Sequence, residues 1–145
     1  MPDLLRCQFS EGWINLPAGY QDRTVNVFTQ PAEQQAASLN ITRGQLKSGQ
    51  TLSLFVDEQL QVMRSNIQGW ELSSRQTIAL GSRAIAAEQI AITFLVNRTR
   101  LWQQQAMCAL NDGQILVFTL SKAQALSDQD QALWQQWLGS FTPTI

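Results

Sequence analysis

With 145 residues, 44% of them hydrophobic and 14% charged, a net charge of −1 and a pI near 5.3, the chain has the size and balance of one globular domain. No basic run supplies the positive field that phosphate binding needs, histidine is absent, and Cys7 and Cys108 stand in no paired motif. Nucleic-acid partners, imidazole chemistry and a zinc centre are therefore set aside, and neither cofactor nor metal is expected.

The amino terminus, "MPDLLRCQFSEGW", has no charged segment followed by an apolar run. It reads as neither a signal peptide nor a lipid-attachment sequence. No apolar stretch reaches the roughly 18 residues that span a bilayer. We expect a cytoplasmic protein with reduced cysteines and no stable membrane insertion. In place of charge, glutamine supplies hydrogen-bonding capacity at about one residue in seven, with clusters at Gln34-Gln35, Gln103-Gln104-Gln105 and Gln135-Gln136.

Strand signals fall at residues 4–9, 12–16, 24–29 and 37–43, separated by Ser-Glu-Gly, Pro-Ala-Gly and Pro-Ala-Glu turns. A helix follows over residues 51–67, because Leu52, Phe55, Val56, Met63 and Ile67 recur at helical spacing and Gly69 ends the pattern. Residues 70–80 form a strand leading to a Gly81-Ser82 turn, and residues 83–96 alternate at Ile90, Ile92, Phe94 and Val96. Strands 101–110 and 114–121 flank Asn111-Asp112-Gly113, residue types that tolerate positive φ in a hairpin turn. The last helix starts at Ser127, which can cap it, with Asp128 and Asp130 in its first turn. Its apolar stripe is Leu133, Trp134, Trp137, Leu138 and Phe141. Two glycosylation patterns, Asn40-Ile41-Thr42 and Asn97-Arg98-Thr99, carry little meaning in a cytosolic chain. With no repeat and no linker, residues 1–145 form a single domain. The expected fold is α+β: a curved antiparallel sheet of about six to seven strands with two helices on one face.

Such a sheet leaves its second face bare. On strand 37–43, Leu39 and Ile41 belong with Phe28 beneath the helices, and Val25, Val27, Ser38, Asn40 and Thr42 fall to the opposite face if this strand pairs with 24–29. Gln89, Ala91, Thr93 and Leu95 alternate against Ile90, Ile92 and Phe94 and offer the same mixture, as do Gln103 and Gln105 against Trp102 and Gln104. Gln59 lies within the apolar stripe of the first helix, three or four residues from Phe55, Val56 and Met63.

Two readings of that face stand open, beside a plain homodimer in which it is simply the subunit interface. It is a solvated sheet face with scattered apolar residues, and Gln59 a stripe-edge side chain reaching water. Or it is an interface for an apolar partner that also takes a few hydrogen bonds, as transmembrane helices do when they associate. Charged groups would be excluded there, since an unpaired buried charge costs more than a hydrogen bond returns. Catalysis is not expected. Asp22, Arg23, Asp57, Glu58 and Cys108 form no nucleophile–base pair; Asp22 beside a turn reads as a cap and Asp57-Glu58 as a solvated helix face.

The segment "LPAGYQDRTVNVF", followed by "ASLNITRGQ" and a helix carrying Gln59, resembles the Eag chaperones of bacterial type VI secretion, whose fold is similar to DcrB and Mog1/PsbP-like domains. The most specific part is Leu-Pro-x-x-x-Gln-Asp-x-Thr-x-Asn-x-Phe, and the likeness in element order covers nearly the whole chain. The resemblance implies a cytosolic homodimer that binds amino-terminal transmembrane helices of PAAR- or Rhs-type toxin effectors until they are loaded on the secretion spike. By position, it implies a client-binding face of Val25, Val27, Ser38, Asn40, Thr42, Gln59 and Gln105. Asn40 departs from the more apolar residue expected there. The missing signal sequence departs from DcrB-like lipoproteins, and a Mog1-type role in nuclear transport has no support in these residues. The alternative function is a homodimeric module for another apolar peptide or small ligand.

Overall fold

The computed structural model describes residues 6–33 and 35–144. The element order is β1 (Arg6–Phe9), β2 (Gly12–Asn15), β3 (Asn26–Phe28), β4 (Ser38–Gln45), α1 (Leu52–Asn66), β5 (Glu71–Leu80), β6 (Ile85–Val96), β7 (Thr99–Ala109), β8 (Gln114–Lys122) and α2 (Asp128–Gly139). Residues 4 and 5 of the first expected strand, and Gln34 of the first glutamine cluster, lie outside the described residues. The second expected strand closes one residue earlier than its pattern, and the third contracts to three residues, leaving Val25 just ahead of it. Residues 83 and 84 belong to the turn rather than to β6.

Local chemistry sets the ends of these elements. Thr51 caps α1 by accepting from Leu54 N–H at 3.2 Å. Ser127 and Asp130 form a reciprocal capping box at the start of α2. Gly113 takes φ +80° in the β7–β8 turn. The β6–β7 turn is made by Asn97 and Arg98, at φ +49° and +68°, the two positive values that match the twist of a tight hairpin.

Six strands form one open antiparallel sheet in the order β3-β4-β8-β7-β6-β5, and β1 and β2 pair as a separate hairpin. The α+β class, the antiparallel sheet and the two helices are as the sequence implies. The placement of the helices differs. Residues opposite one another on a ladder share a face, and their chain neighbours point the other way. On β8, Leu116, Phe118 and Leu120 join Ala106, Cys108, Trp134 and Leu138 in one core, beneath α2. Ile115, between them in pattern, joins Met107, Ile90, Ile92 and Phe94 with Phe55, Val56 and Leu60 in a second core, beneath α1. The helices therefore cover opposite faces, and both faces of β6, β7 and β8 carry core residues. The reason is the two-sided burial of Ala106-Met107-Cys108 and Ile115-Leu116, continuous apolar runs that one layer of helices cannot cover.

Candidate functional site

One helix per face leaves each face part covered. The six strands span roughly 24 Å at about 4.8 Å per step, whereas a helix with its side chains is roughly 10 Å wide. On the α1 side the helix rests on Ile90, Ile92 and Phe94 of β6, Met107 of β7 and Ile115 of β8. Beside it lie β3, most of β4 and the Thr119–Ser121 end of β8, since Ile115 and Val117 of β8 pack in the core beneath α1.

The ladder register places the sequence-derived residues there. One row across the sheet runs Val27, Asn40, Thr119, Gln105 and Ile90. Flanking rows run Ser38, Ser121, Gln103 and Ile92, and Thr42, Val117, Met107 and Glu88. Val27 is 63% exposed and Val25 54%, whereas Ser38, Asn40, Thr42 and Gln105 are half-buried and Thr119 is buried. Gln59 is half-buried on α1, one turn from buried Phe55. Val27, Ser38, Asn40, Thr42 and Gln105 thus share one surface. Val25 precedes the ladder and has no register position on it.

This trough is polar without being charged. Ser38 Oγ donates to the Ser121 carbonyl at 3.5 Å, Gln103 Nε2 to Ser121 Oγ at 3.3 Å, and Gln105 Nε2 to Gln103 Oε1 at 3.1 Å. Ion pairs flank α1: Lys47 with Glu58 near the end of β4, and a cluster at the far edge of the sheet. There Arg75 joins Glu88 at 2.7 Å and Asp57 at 2.5 Å, and both carboxylates reinforce its positive charge.

The conspicuous motif before β3 has a structural role of its own. Asp22 accepts from Thr24 N–H at 3.0 Å and from the Thr24 hydroxyl, and Cys7 Sγ donates to it at 3.3 Å. These bonds, the Thr24 hydroxyl first and Cys7 second, hold its carboxyl below the usual range. Arg43 donates to the Thr24 carbonyl at 3.0 Å and to Asn26 Oδ1 at 2.5 Å. Phe28, on the opposite side of β3 from Val27, packs edge-on against Trp137 of α2 at 6.4 Å. The polar residues of the motif thus fasten the segment while Val27 is left outward.

Other candidates are placed elsewhere. Gln89, Ala91, Thr93 and Leu95 lie on the α2 side, because they share ladder rows with Ala106, Gln104, Trp102 and Arg100. Gln89 Oε1 accepts from Trp134 Nε1 at 2.8 Å, and Gln104 Nε2 donates to Gln131 of α2 at 2.9 Å. Asp57 is bound to Arg75 and Glu58 to Lys47, at 3.1 Å. Cys108 is buried, and burial pushes its thiol up to about 11. Val117, Thr119 and Ser121 belong to the trough but were not among the sequence candidates. Their alternation against Leu116, Phe118 and Leu120 was a usable signal, but the pairing of β8 with β4 was not visible in the chain.

Among the described residues no cluster of His, Cys, Asp or Glu is arranged to hold a metal, and no helix is long and apolar enough to cross a membrane. A concavity of about 820 Å³ lies on the α2 side between β3, β4 and the start of α2, away from the trough.

A model of the DcrB family matches residues 11–140. The chain belongs to the DcrB family. No curated protein matches it. Among solved structures, this DcrB-family chain is similar to a Pseudomonas aeruginosa protein of unknown function, with a TM-score of 0.78, 21% identity and 99% of each chain covered. It is also similar to cyanobacterial PsbP from Synechocystis, with a TM-score of 0.57, 18% identity and coverage of 88% of this chain and 79% of that one. At such identities the likeness is one of fold, and it places the DcrB-family chain beside a PsbP-like domain.

Proposed function

We propose that this DcrB-family protein is a cytoplasmic chaperone of a type VI secretion system, which shields amino-terminal transmembrane helices of a PAAR- or Rhs-type toxin effector until spike loading. It acts by holding, without catalysis or a cofactor. The observation that carries the reading is the row Val27–Asn40–Thr119–Gln105 on an open half-face beside α1. Uncharged donors and acceptors predominate there, with Val27 and Val117 as the apolar groups, which suits a helix that is apolar and carries occasional Ser, Thr or Asn.

The dimensions agree with such a client. The open part spans β3, β4 and the Thr119–Ser121 end of β8, on the order of one helix diameter. Strand β4 has 8 residues, a length of about 27 Å at roughly 3.4 Å per residue, a little short of the ~30 Å of a membrane-spanning helix. A homodimer would lengthen the shelter. Shielding ~600 Å² of apolar client surface at about 25 cal/mol per Å² is worth on the order of 15 kcal/mol before association costs. Holding on that scale requires no nucleotide.

The test is co-expression with an effector fragment that carries its apolar helices and PAAR domain, followed by affinity capture. Val27→Asp should lower capture at least tenfold, because a carboxylate would be buried against the client. Stability should stay within about 0.5 kcal/mol, since the side chain is exposed in the free protein. Undiminished capture by a Val25→Asp, Val27→Asp double variant would sink the proposal. In the second reading, the trough takes another apolar peptide or a small ligand; its asset is the uncharged polar ladder Ser121–Gln103–Gln105.

A further inference from the structure

The polar side chains on the trough's strands fall into two sets. Ser38, Ser121, Gln103 and Gln105 are already joined to one another or to the β8 backbone, at 3.1 to 3.5 Å. Asn40 and Thr119 are not. Among the described residues, no group bonds to the Asn40 amide or the Thr119 hydroxyl, and neither is sealed from solvent. The two stand directly opposite each other on the β4–β8 ladder, with Val27 beyond Asn40 and Gln105 beyond Thr119. Opposed residues have Cβ atoms about 5 Å apart, so one incoming side chain can reach both. Thr42, one row along β4, is likewise without a partner and faces Val117. The unpaired groups therefore occupy about 7 Å of strand, little more than the ~5.4 Å of a single helical turn.

We infer that Asn40, together with Thr119, sets the trough's specificity: it selects an apolar helix that carries an amide or hydroxyl side chain over one that is apolar throughout. The inference rests on the client reading and narrows the class of client. In the free protein, water satisfies the Asn40 amide, which is half-buried, and the Thr119 hydroxyl at the floor, where the residue is 5% exposed. A helix laid across the row expels that water. An apolar side chain at this level would leave the amide N–H, the amide carbonyl and the hydroxyl dry and unpaired. An asparagine, serine or threonine there replaces the bonds that the water made. The penalty for leaving such groups unmade exceeds the net gain from making them, so discrimination comes from rejecting the wholly apolar helix. Gln103 and Gln105 discriminate less, because each amide already has a partner within the sheet. Since the unpaired groups lie within about one turn, one polar residue on the client suffices.

Competition between two model helices tests this. Each is a stretch of about 20 leucines and alanines, fused to a soluble carrier, and the two carriers differ in size. The helices are identical except at one central position, which is asparagine in one and the near-isosteric leucine in the other. Both are co-expressed with the full chain, and affinity capture is read as the ratio of the two carriers, normalised to their expression. The unaltered protein should take the asparagine helix in at least about tenfold excess. Asn40→Leu should bring the ratio to parity or invert it, and Thr119→Val should lower it. Thermal unfolding checks that both variants fold. The exchange on the client alters nothing in the chaperone, so the ratio obtained with unaltered protein judges the inference even where a variant misfolds. Equal capture of the two helices, or a preference that Asn40→Leu leaves unchanged, would overturn the inference and leave the client reading standing. Capture of neither helix would refute the client reading and this inference with it.

Discussion

Asp130 shows how one side chain serves two elements at once. Its carboxylate accepts from Ser127 N–H at 2.8 Å, closing the capping box of α2, and from Lys122 Nζ at 2.9 Å, tying the helix to the end of β8. Burial opposes its charge, but the bonds from Ser127 and Lys122 outweigh that and keep its acidity above the ordinary. A carboxyl depressed in the folded state contributes stability above its unfolded pKa of about 3.9, and that contribution is lost as pH falls through the lower folded value. Asp130→Ala should cost about 2–4 kcal/mol at neutral pH, since it removes a cap and leaves a mostly buried lysine unpaired. Asp130→Asn should flatten the acid limb of the stability profile. Urea midpoints between pH 7 and pH 3 measure both effects. The thiols differ from one another in the same physical terms. Cys108 is buried with its pKa near 11, so an aromatic disulfide reagent at pH 8 should modify one thiol per native chain and the second only on unfolding. The reactive one is Cys7, slowed by its hydrogen bond to Asp22, then by desolvation and by that carboxylate's charge. Asp22→Ala should accelerate it, read by absorbance of the released thiolate.

Elements in this protein are fixed by short signals that the chain displays openly. The Ser127–Asp130 box and the Asn111-Asp112-Gly113 turn were legible because their chemistry is completed within four residues. The alternation of 24–29 against 37–43 was legible too, and β3 pairs with β4 in the register that sets Val27 beside Asn40. Gly81 was legible as a turn but not for its second role. It takes φ +76°, and a Cβ there would collide with the Phe141 carbonyl, beyond the end of α2. Gly81→Ala should therefore destabilise by about 2–3 kcal/mol, more than backbone freedom alone accounts for. Ile90→Ala, emptying a fully buried site beneath α1, should cost about 2–5 kcal/mol. Thermal or denaturant unfolding checks each. The failure at this scale was β6, whose two sides each look like an interior. Ile90, Ile92 and Phe94 do pack under a helix, but Ala87, on the opposite side of the strand, packs under the other helix.

For the molecule as a whole, the consequence of placing one helix on each side is a sheet wider than its cover. Two helices side by side would have closed one face and left the other wholly bare. Split between faces, they close two partial cores and leave a trough beside α1, and a concavity beside α2. The first is the surface on which the proposed function rests. Among the described residues, seven of the twelve large exposed hydrophobics lie between Phe9 and Phe28, in the segment that leads into this trough.

The sequence by itself determined where the chain turns, which segments are helix or strand, and that Val27, Ser38, Asn40, Thr42 and Gln105 occupy outward-alternating positions. Those properties depend on neighbours in the chain, through backbone conformation and side-chain period. Which helix covers which face was decided only in three dimensions. An apolar stripe states that a helix is buried without stating against what, and β8 inserts between β4 and β7 across some 70 residues of intervening chain. That long-range pairing, formed by packing rather than by local preference, is what brought Thr119 between Asn40 and Gln105 and made a single surface of them.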